Sequence, residues 1–560
     1  MKYLVHEVGD PFKHVGSSKL WGDNLQRSLT DRFTPATLSK LEQLRSWNEQ
    51  HARAMEALEP IEGPLSEELL AAFFDQAHPF FPIIDEEDFR RNYMAGQASH
   101  LLLNALYCVA TIHCGNSVIQ RLGFDSRYLA TVTFYQRAKF LFDSDYDTDG
   151  ITNLQACVLL INWWGSPMEQ KDTWHWLGVA AHLAQSLGMH RAKSYSILDP
   201  GRRKLWRRIW WVLFINDIHH AAVFGRPPHI HSQYSDVEPL NADDVFASRT
   251  NDRTSDEADV SLVDLCKLAL VLNKCLLTKF AASVTPRAIS DAYSELVDCS
   301  DRFVSRVTQN SGTLTLAHGF YPAVLRLIHL DYLIVMQRML SPSAPGIDTS
   351  DIVKHAGLIS RILEDFLSSA PDLVTRLPFL TFPAIFCSIL VNVISIRKQP
   401  GNFAILAEHR ANLAMVILDQ LQDRWPLVVW TRYLLQVLLK DTKRAPPALA
   451  AAEPTDEYAR SDQSRNDKSN SQTNSTPQTP AVPGATQQQQ RRSPDVGIGS
   501  GGDSRDTNRT AISDSSRFNP EIEADLSFSP MPFLFPLNSL LEDAGMEYWD
   551  LEQGFGNFDT

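Results

Sequence analysis

From residue 1 to about 442, apolar side chains recur at three- and four-residue spacing, and strict alternation is rare. That spacing follows the 3.6-residue period of an amphipathic helix, whereas a half-buried strand alternates at two. The pattern predicts an all-α body with no clear strand. Capping residues mark the helix starts. In Leu65-Ser66-Glu67-Glu68, Ser66 is placed to cap a helix ending near His78-Pro79, and Asp85 stands as the cap before Glu86-Glu87-Asp88-Phe89. Thr152-x-x-Gln155 and Ser166-x-x-Glu169 read as capping boxes, with Pro167 at a first helical position where its missing amide costs nothing. The second of these helices is expected to run to Leu187, with Gly188 as a left-handed stop. Thr152–Trp164 and Pro167–Leu187 are therefore predicted to form a tight helical hairpin.

A further helix is predicted from about Arg202 to Val223. Its early face is basic (Arg202, Arg203, Lys204, Arg207, Arg208), and Ile209 to Ile215 is apolar all round, as in a helix surrounded by others. Gly225 ends it, and Pro227-Pro228 forbid its continuation. More helices are expected near 261–283, 289–308, 319–340, 350–369, 404–422 and 426–440. Leu377 to Ile396 has no charge and is long enough to span a bilayer. Pro378 and Pro383 near its start, and Thr381, Ser388, Asn392 and Ser395 along it, favour a buried core helix from about Pro383 and no membrane span.

Composition divides the chain in three. Residues 1–442 are dense in apolar side chains. Residues 443–517 hold one aromatic, Tyr458, among Pro, Ser, Gln and Gly, too few apolar groups to offset the entropy of ordering a backbone, and read as a disordered linker. Residues 518–560 contain no Lys or Arg and nine Asp or Glu, so well over half of the net charge of −14 sits in this tail. Interleaved with the acids are Phe528, Phe533, Phe535, Tyr548, Trp549, Phe555 and Phe558. Purely solvating tails lack aromatics; acids that keep aromatics exposed for docking suit a transcriptional activation segment that folds on a partner. Leu540, Leu541, Ala544 and Tyr548 would form one face of its short helix. The acidic balance argues against a surface that binds nucleic acid throughout.

Seven cysteines, at 108, 114, 157, 266, 275, 299 and 387, include no C-x2-C pair and read as reduced and buried. His175, His182, His190, His219, His220, His229 and His231 lack the spacing and flanking acid of a metal-binding helix, so packed or hydrogen-bonded rings are expected. Gly497-x-Gly499-x-x-Gly502 follows no strand and opens no helix, and a nucleophile elbow and a phosphate loop are both absent. Trp174-x-x-Leu177-Gly178-x-x-Ala181 echoes a tetratricopeptide helix, without a second copy at the required period.

Ordered blocks resemble one family. His78-Pro79-Phe80-Phe81-Pro82-Ile83-Ile84-Asp85 followed by Phe89 is similar to the opening signature of the fungal-specific transcription factor regulatory domain, the middle homology region of fungal zinc-cluster regulators. Gln170–Trp176, with Trp174 and Trp176, and Ala184–Arg191, with Gly188, resemble its next block. Arg207-Arg208-Ile209-Trp210-Trp211, then Asp217, then Gly225-Arg226-Pro227 resemble its most specific one. Asp236–Leu240 with Asp243-Asp244 is nearest to the cutinase and fatty-acid-responsive type. The resemblance spans roughly 2–442 and is strongest over 65–245.

It implies a nuclear regulator of RNA polymerase II genes, not an enzyme, with no cofactor held by this chain. Zinc and sequence-specific DNA contact are expected of the family's six-cysteine cluster, yet no cysteine precedes Cys108. DNA would be reached only through a missing module or a partner. The tail, through Phe533, Phe535, Leu540, Leu541, Tyr548 and Trp549, would recruit transcription machinery or a coactivator. Trp163, Trp164, Trp174, Trp176, Trp206, Trp210 and Trp211 crowd the 152–187 hairpin and the 202–223 helix; aromatics in such number more often mean core, and the alternative is a pocket there for a small hydrophobic effector. A homodimer is compatible with this reading. The rival readings are an all-helical enzyme acting on a lipid-like molecule near His175 and His219, and a ligand-binding scaffold. Asp217 and Arg226 are expected to pair across the Gly225 turn.

Overall fold

Helices start where a short polar side chain can accept a free amide of the first turn. Asp85, Ser99, Ser126, Asp149, Asp172, Asp199 and Thr285 each accept from the amide three residues on. The computed structural model describes residues 35–165, 169–245, 253–281, 283, 285–309, 314–340, 350–398 and 401–442. The expected linker and activation tail lie outside the described residues.

The N-terminal helices are α1 (Pro35–Ala54), α2 (Gly63–Ala72), α3 (Glu86–Met94), α4 (His100–His113), α5 (Asn116–Arg121), α6 (Arg127–Asp143) and α7 (Gly150–Leu160). They are followed by α8 (Thr173–Ser186), α9 (Ala192–Tyr195), α10 (Pro200–Phe224), α11 (Ala242–Val245), α12 (Arg253–Phe280) and α13 (Pro286–Val307). The remaining helices are α14 (Phe320–Leu340), α15 (Ser350–Ser369), α16 (Pro371–Val374), α17 (Phe382–Lys398), α18 (Asn402–Leu421) and α19 (Pro426–Thr442). Among the described residues there is no strand, as the apolar spacing predicts. The helices between 35 and 442 form one compact unit.

Two helices organise the packing. In α10, Ile209 to Ile215 are all buried, and the helix packs against α8, α11, α12 and α14. At 1.5 Å per residue its 25 residues span about 37 Å. Helix α17 packs against α14, α15, α18 and α19. The apolar stretch Phe379–Arg397 is long and apolar enough to cross a bilayer, yet 83% of its most apolar window is buried against neighbouring helices. Its polar side chains have protein partners: Ser388 donates to the Ala356 carbonyl, Asn392 to Ser388 and Ser395 to Val391. It is a core helix.

Helix ends marked by glycine fall where the sequence puts them. Gly188 and Gly225 adopt φ of 81° and 63°, the left-handed region that costs a Cβ-bearing residue roughly 1–2 kcal/mol. Three predicted starts are corrected. Helix α2 begins at Gly63 with Pro64 in its first turn, and Ser66 is not a cap; its buried hydroxyl accepts from Tyr93 and lies 2.6 Å from the Tyr107 hydroxyl. The cap of α7 is Asp149, to which both the amide and the hydroxyl of Thr152 donate. A carboxylate three residues upstream outcompetes the Thr152 hydroxyl because it is the stronger acceptor. Helix α8 starts at Thr173 under Asp172, so the connection in the hairpin is longer than expected. Glu169 accepts from the Trp163 indole instead, and Pro167 lies outside the described residues.

Candidate functional site

The segment from Phe81 to Ile84 has no regular secondary structure and is buried between two helices. Buried carbonyls must find donors, and an irregular segment has no helix or ladder to supply them. Here the Ile83 amide donates to the Phe81 carbonyl, and side chains supply the other three. Arg208 Nε donates to the Pro82 carbonyl at 2.9 Å, Gln155 Nε2 to Ile83 at 2.7 Å, and His78 Nε2 to Ile84 at 2.9 Å. The His-Pro-x-x-Pro block is thus a clamp between α7 and α10. Arg208, buried, also donates to the Asp244 carbonyl, while Arg207 pairs with the buried Asp244 carboxylate at 2.7 Å. Arg203 donates to the carbonyls of Tyr195 and Leu198. Much of the basic face at 202–208 is therefore spent inside the fold.

Asp217 is fully buried on α10 and pins the loop that follows the helix. Its Oδ1 accepts from the His229 amide at 3.1 Å and from His229 Nδ1 at 2.8 Å, and its Oδ2 accepts from the Ile230 amide at 2.7 Å. The expected Asp217–Arg226 pair does not form. The Arg226 guanidinium lies over Trp174 at 5.3 Å and Phe224 at 5.5 Å, because the left-handed Gly225 sends it outward along α8. Trp174 also packs against the His229 ring, with centroids 4.1 Å apart and planes tilted by 42°, and Gly178 leaves the space for that ring: a Cβ there would sit 3.2 Å from His229 Nε2. Trp176 is fully buried against Tyr135, Trp210 is buried in α10, and the Trp211 indole donates to the Glu238 carbonyl at 2.7 Å.

A recess opens beside these elements, lined by Trp164 and Thr173 from the hairpin connection, His219, His220, Val223 and Phe224 from α10, Val335 from α14, Phe379 to Cys387 at the start of α17, and Leu427. It holds about 610 Å³ of empty space counted to its mouth, of which about 40 Å³ admits the centre of a water molecule. Of the seven tryptophans expected around a pocket, only Trp164 lines it; the far wall is the aromatic row Phe379, Phe382 and Phe386. Their spacing of three and four along one helix face was visible in the apolar run 377–396, as was the adjacent pair His219-His220, although the sequence gives no sign that α17 lies beside α10.

Both histidines are fully buried. His220 Nδ1 is 2.8 Å from the Asn216 carbonyl, and His219 Nδ1 is 2.9 Å from the Tyr332 hydroxyl. Neither Nε2 has a protein partner. Burial pushes the His220 pKa down to about 4 and that of His219 well below its usual value, so both rings are neutral near pH 7. Cys387 is also buried, and burial raises its thiol well above the ordinary range, so it is no nucleophile. His175 lies elsewhere, edge-on to Trp176. Among the described residues, no three His, Cys, Asp or Glu side chains converge as a metal site. The cysteines do not fit the family's zinc cluster: Cys108, Cys157, Cys266, Cys275 and Cys387 are buried thiols held protonated by desolvation. Phe533, Phe535, Leu540, Leu541, Tyr548 and Trp549 lie outside the described residues.

The clamp, the Asp217 loop and the tryptophans all lie within residues 70–314, which match the family described as the fungal-specific transcription factor domain. Over these residues the chain is similar to a fungal-specific transcription factor domain. Cutinase transcription factor 1 alpha of Fusarium vanettenii is 28% identical over 379 residues, covering 64% of this chain and 41% of that protein. Cutinase transcription factor 1 beta of the same organism is 35% identical over 186 residues, 32% of this chain and 21% of that protein. The acetamidase regulatory protein of Emericella nidulans is 27% identical over 399 residues, 68% of this chain and 48% of that protein. The chain thus spans about half the length, or less, of these curated relatives. Their names are those of regulators, in keeping with the expectation that a fungal-specific transcription factor domain is no enzyme. No solved structure matches the chain.

Proposed function

We propose that this chain is the regulatory and activating part of a nuclear transcription regulator. The match over 70–314 carries the reading, supported by relatives named as a cutinase transcription factor and an acetamidase regulatory protein. The helical body serves as the sensing element, with the α10–α17 recess as its effector site. Residues 443–517 give reach, and the acidic, aromatic residues 518–560 recruit a coactivator or the transcription machinery. DNA contact and zinc belong to a module outside these residues or to a partner chain. The internal engagement of Arg203, Arg207 and Arg208 supports this, since it leaves little of the basic face for phosphate.

The test is a fusion of residues 518–560 to a foreign DNA-binding domain with a reporter gene. Activation is expected, and replacing Phe533, Phe535, Tyr548 and Trp549 with Ala should abolish it. A silent fusion that is expressed and nuclear, or an Ala variant as active as its parent, would remove the activating role.

A further inference from the structure

We propose that the acidic, aromatic tail docks on this chain's own body: a helix over residues 539–552 lies along the outer face of α15 and α18, its apolar side on Phe403 and Leu406 and its acids against Arg361 and Arg410. The consequence, that docking competes with the coactivator for the same side chains, rests on the activating role proposed above for residues 518–560.

The face is marked first by what it leaves uncovered. Phe403, Ile405 and Leu406 crowd one turn of α18 and are 69%, 68% and 45% exposed. Large apolar side chains scattered singly on a surface are ordinary, but three in one turn hold a contiguous apolar patch in water. Phe403, Leu406 and Arg410 stand at i, i+3 and i+7, so they share one side of the helix.

Charge marks the same face. Helix α18 packs against α15, and a Cβ on Gly357 of α15 would meet Arg410 Nη1 at 3.1 Å, so the Arg410 guanidinium lies against α15 at that glycine. Arg361 follows Gly357 by one turn of α15 and is exposed. Burial, and after it the Arg361 charge, lower the Arg410 pKa. Among the described residues neither guanidinium has an ion-pair or hydrogen-bond partner, and Glu364 and Asp365, on the next turn of α15, pair with neither. Two like charges side by side without a counter-charge favour an anionic partner. A second copy of this face would set cations against cations, which disfavours self-association through it.

The chain itself supplies the complement. Residues 518–560 contain nine acids and no Lys or Arg. Ser539-x-x-Glu542 reads as a capping box for a helix with Leu540, Leu541, Ala544 and Tyr548 on one side and Asp543, Glu547 and Asp550 recurring at i, i+4 and i+7. Helix α19 ends at Thr442, and residues 443–538 join it to this segment. An unstructured chain of that length has a root-mean-square span of about 50 Å. Helix α18, with 20 residues, is about 30 Å long, so the tail reaches any point on it. The covalent link raises the tail's effective concentration, so individually weak contacts suffice.

The experiment is carbodiimide cross-linking of the full chain at low concentration, with Arg361→Lys and Arg410→Lys to supply amines at unchanged charge. The reagent joins an amine to a carboxylate in direct contact. Cross-links are expected from positions 361 and 410 to Glu542, Asp543, Glu547 or Asp550 of the same chain, about threefold or more as frequent as those from the exposed Lys193. Salt at about 0.5 M should cut them about threefold, because exposed charge contacts are screened. Phe403→Ser with Leu406→Ser should cut them too, at an unchanged melting temperature, since both side chains are exposed. In the tethered full-chain reporter, Arg361→Glu with Arg410→Glu should raise output about threefold over the parent. No cross-links from 361 and 410 to the tail of folded chain, or none in excess of those from Lys193, would overturn the proposal. So would cross-links that, in a mixture of light and heavy chains, join only two different copies. Output unchanged by the Glu pair would overturn the competition with the coactivator. A silent 518–560 fusion removes the activating role and leaves the cross-links to be read, and absent cross-links leave the fusion result standing.

Discussion

Asp217 shows how much one buried carboxylate can hold. It satisfies two backbone amides and a ring nitrogen of the loop after α10. Asp217→Ala leaves the buried Ile230 amide unmet, and a loss of roughly 3 kcal/mol or more is expected. Urea unfolding should show it as a lower midpoint. Arg226→Ala should cost no more than about 1 kcal/mol, because a half-exposed guanidinium over an aromatic ring contributes on that scale. Both residues stand out in the sequence as the charged members of one block, but their partners do not. The sequence marks the turn at Gly225; it does not say that the next residue faces outward and that amides four and five residues further on face in.

Buried histidines also make stability depend on pH. Burial lowers the pKa of His113 and His329 to about 3 and that of His220 to about 4, from an ordinary value near 6.5. The unfolded chain then binds protons that the folded chain refuses, so their stabilising contribution is complete above pH 6.5 and is lost as pH falls toward 4 and then 3. Each is worth on the order of 3–5 kcal/mol across its window. Asp331, raised by burial to about 7, runs the other way: it favours the fold at low pH and loses that contribution as pH rises through 7. Three groups outweigh one, so the melting temperature should fall steadily between pH 6.5 and 4. A flat melting temperature over that range would contradict the burial of these rings.

Among the elements, α10 and the clamp depend on each other. Arg208→Met would strand the buried carbonyls of Pro82 and Asp244, and thermal melting should drop by several degrees, with a loss of about 2–4 kcal/mol. Gly225→Ala should cost roughly 1–2 kcal/mol from its left-handed φ alone. The helix ends before Gly188 and Gly225 were legible because glycine takes a left-handed residue at least cost. The starts of α2, α7 and α8 were not. Ser, Thr and Asp all accept a first-turn amide, and when two stand three residues apart, as Asp149 and Thr152 do, the pattern alone does not choose. Helix α4, buried along almost its whole length, had no start singled out in the sequence because continuous apolar text blurs the period.

For the whole molecule, the all-α architecture and the family were readable from spacing and from three ordered blocks. The recess was readable only in part. One wall, α10 with Trp164, comes from the stretch where the aromatics crowd, whereas the opposite wall comes from the apolar run 379–387, more than 150 residues later. Such long-range adjacency is set by how helices pack and has no local signature. Purified chain at physiological salt should show no nanomolar, sequence-selective affinity for DNA in a gel-shift titration, because its basic residues at 203, 207 and 208 serve the fold.

The most direct measurement of the central claim, that this chain regulates transcription, is a reporter assay with all 560 residues tethered to a foreign DNA-binding domain. The account predicts reporter output well above that of the DNA-binding domain alone, lost when Phe533, Phe535, Tyr548 and Trp549 are changed to Ala while the protein level holds. Output no different from the bare DNA-binding domain, with the fusion folded and in the nucleus, would contradict it.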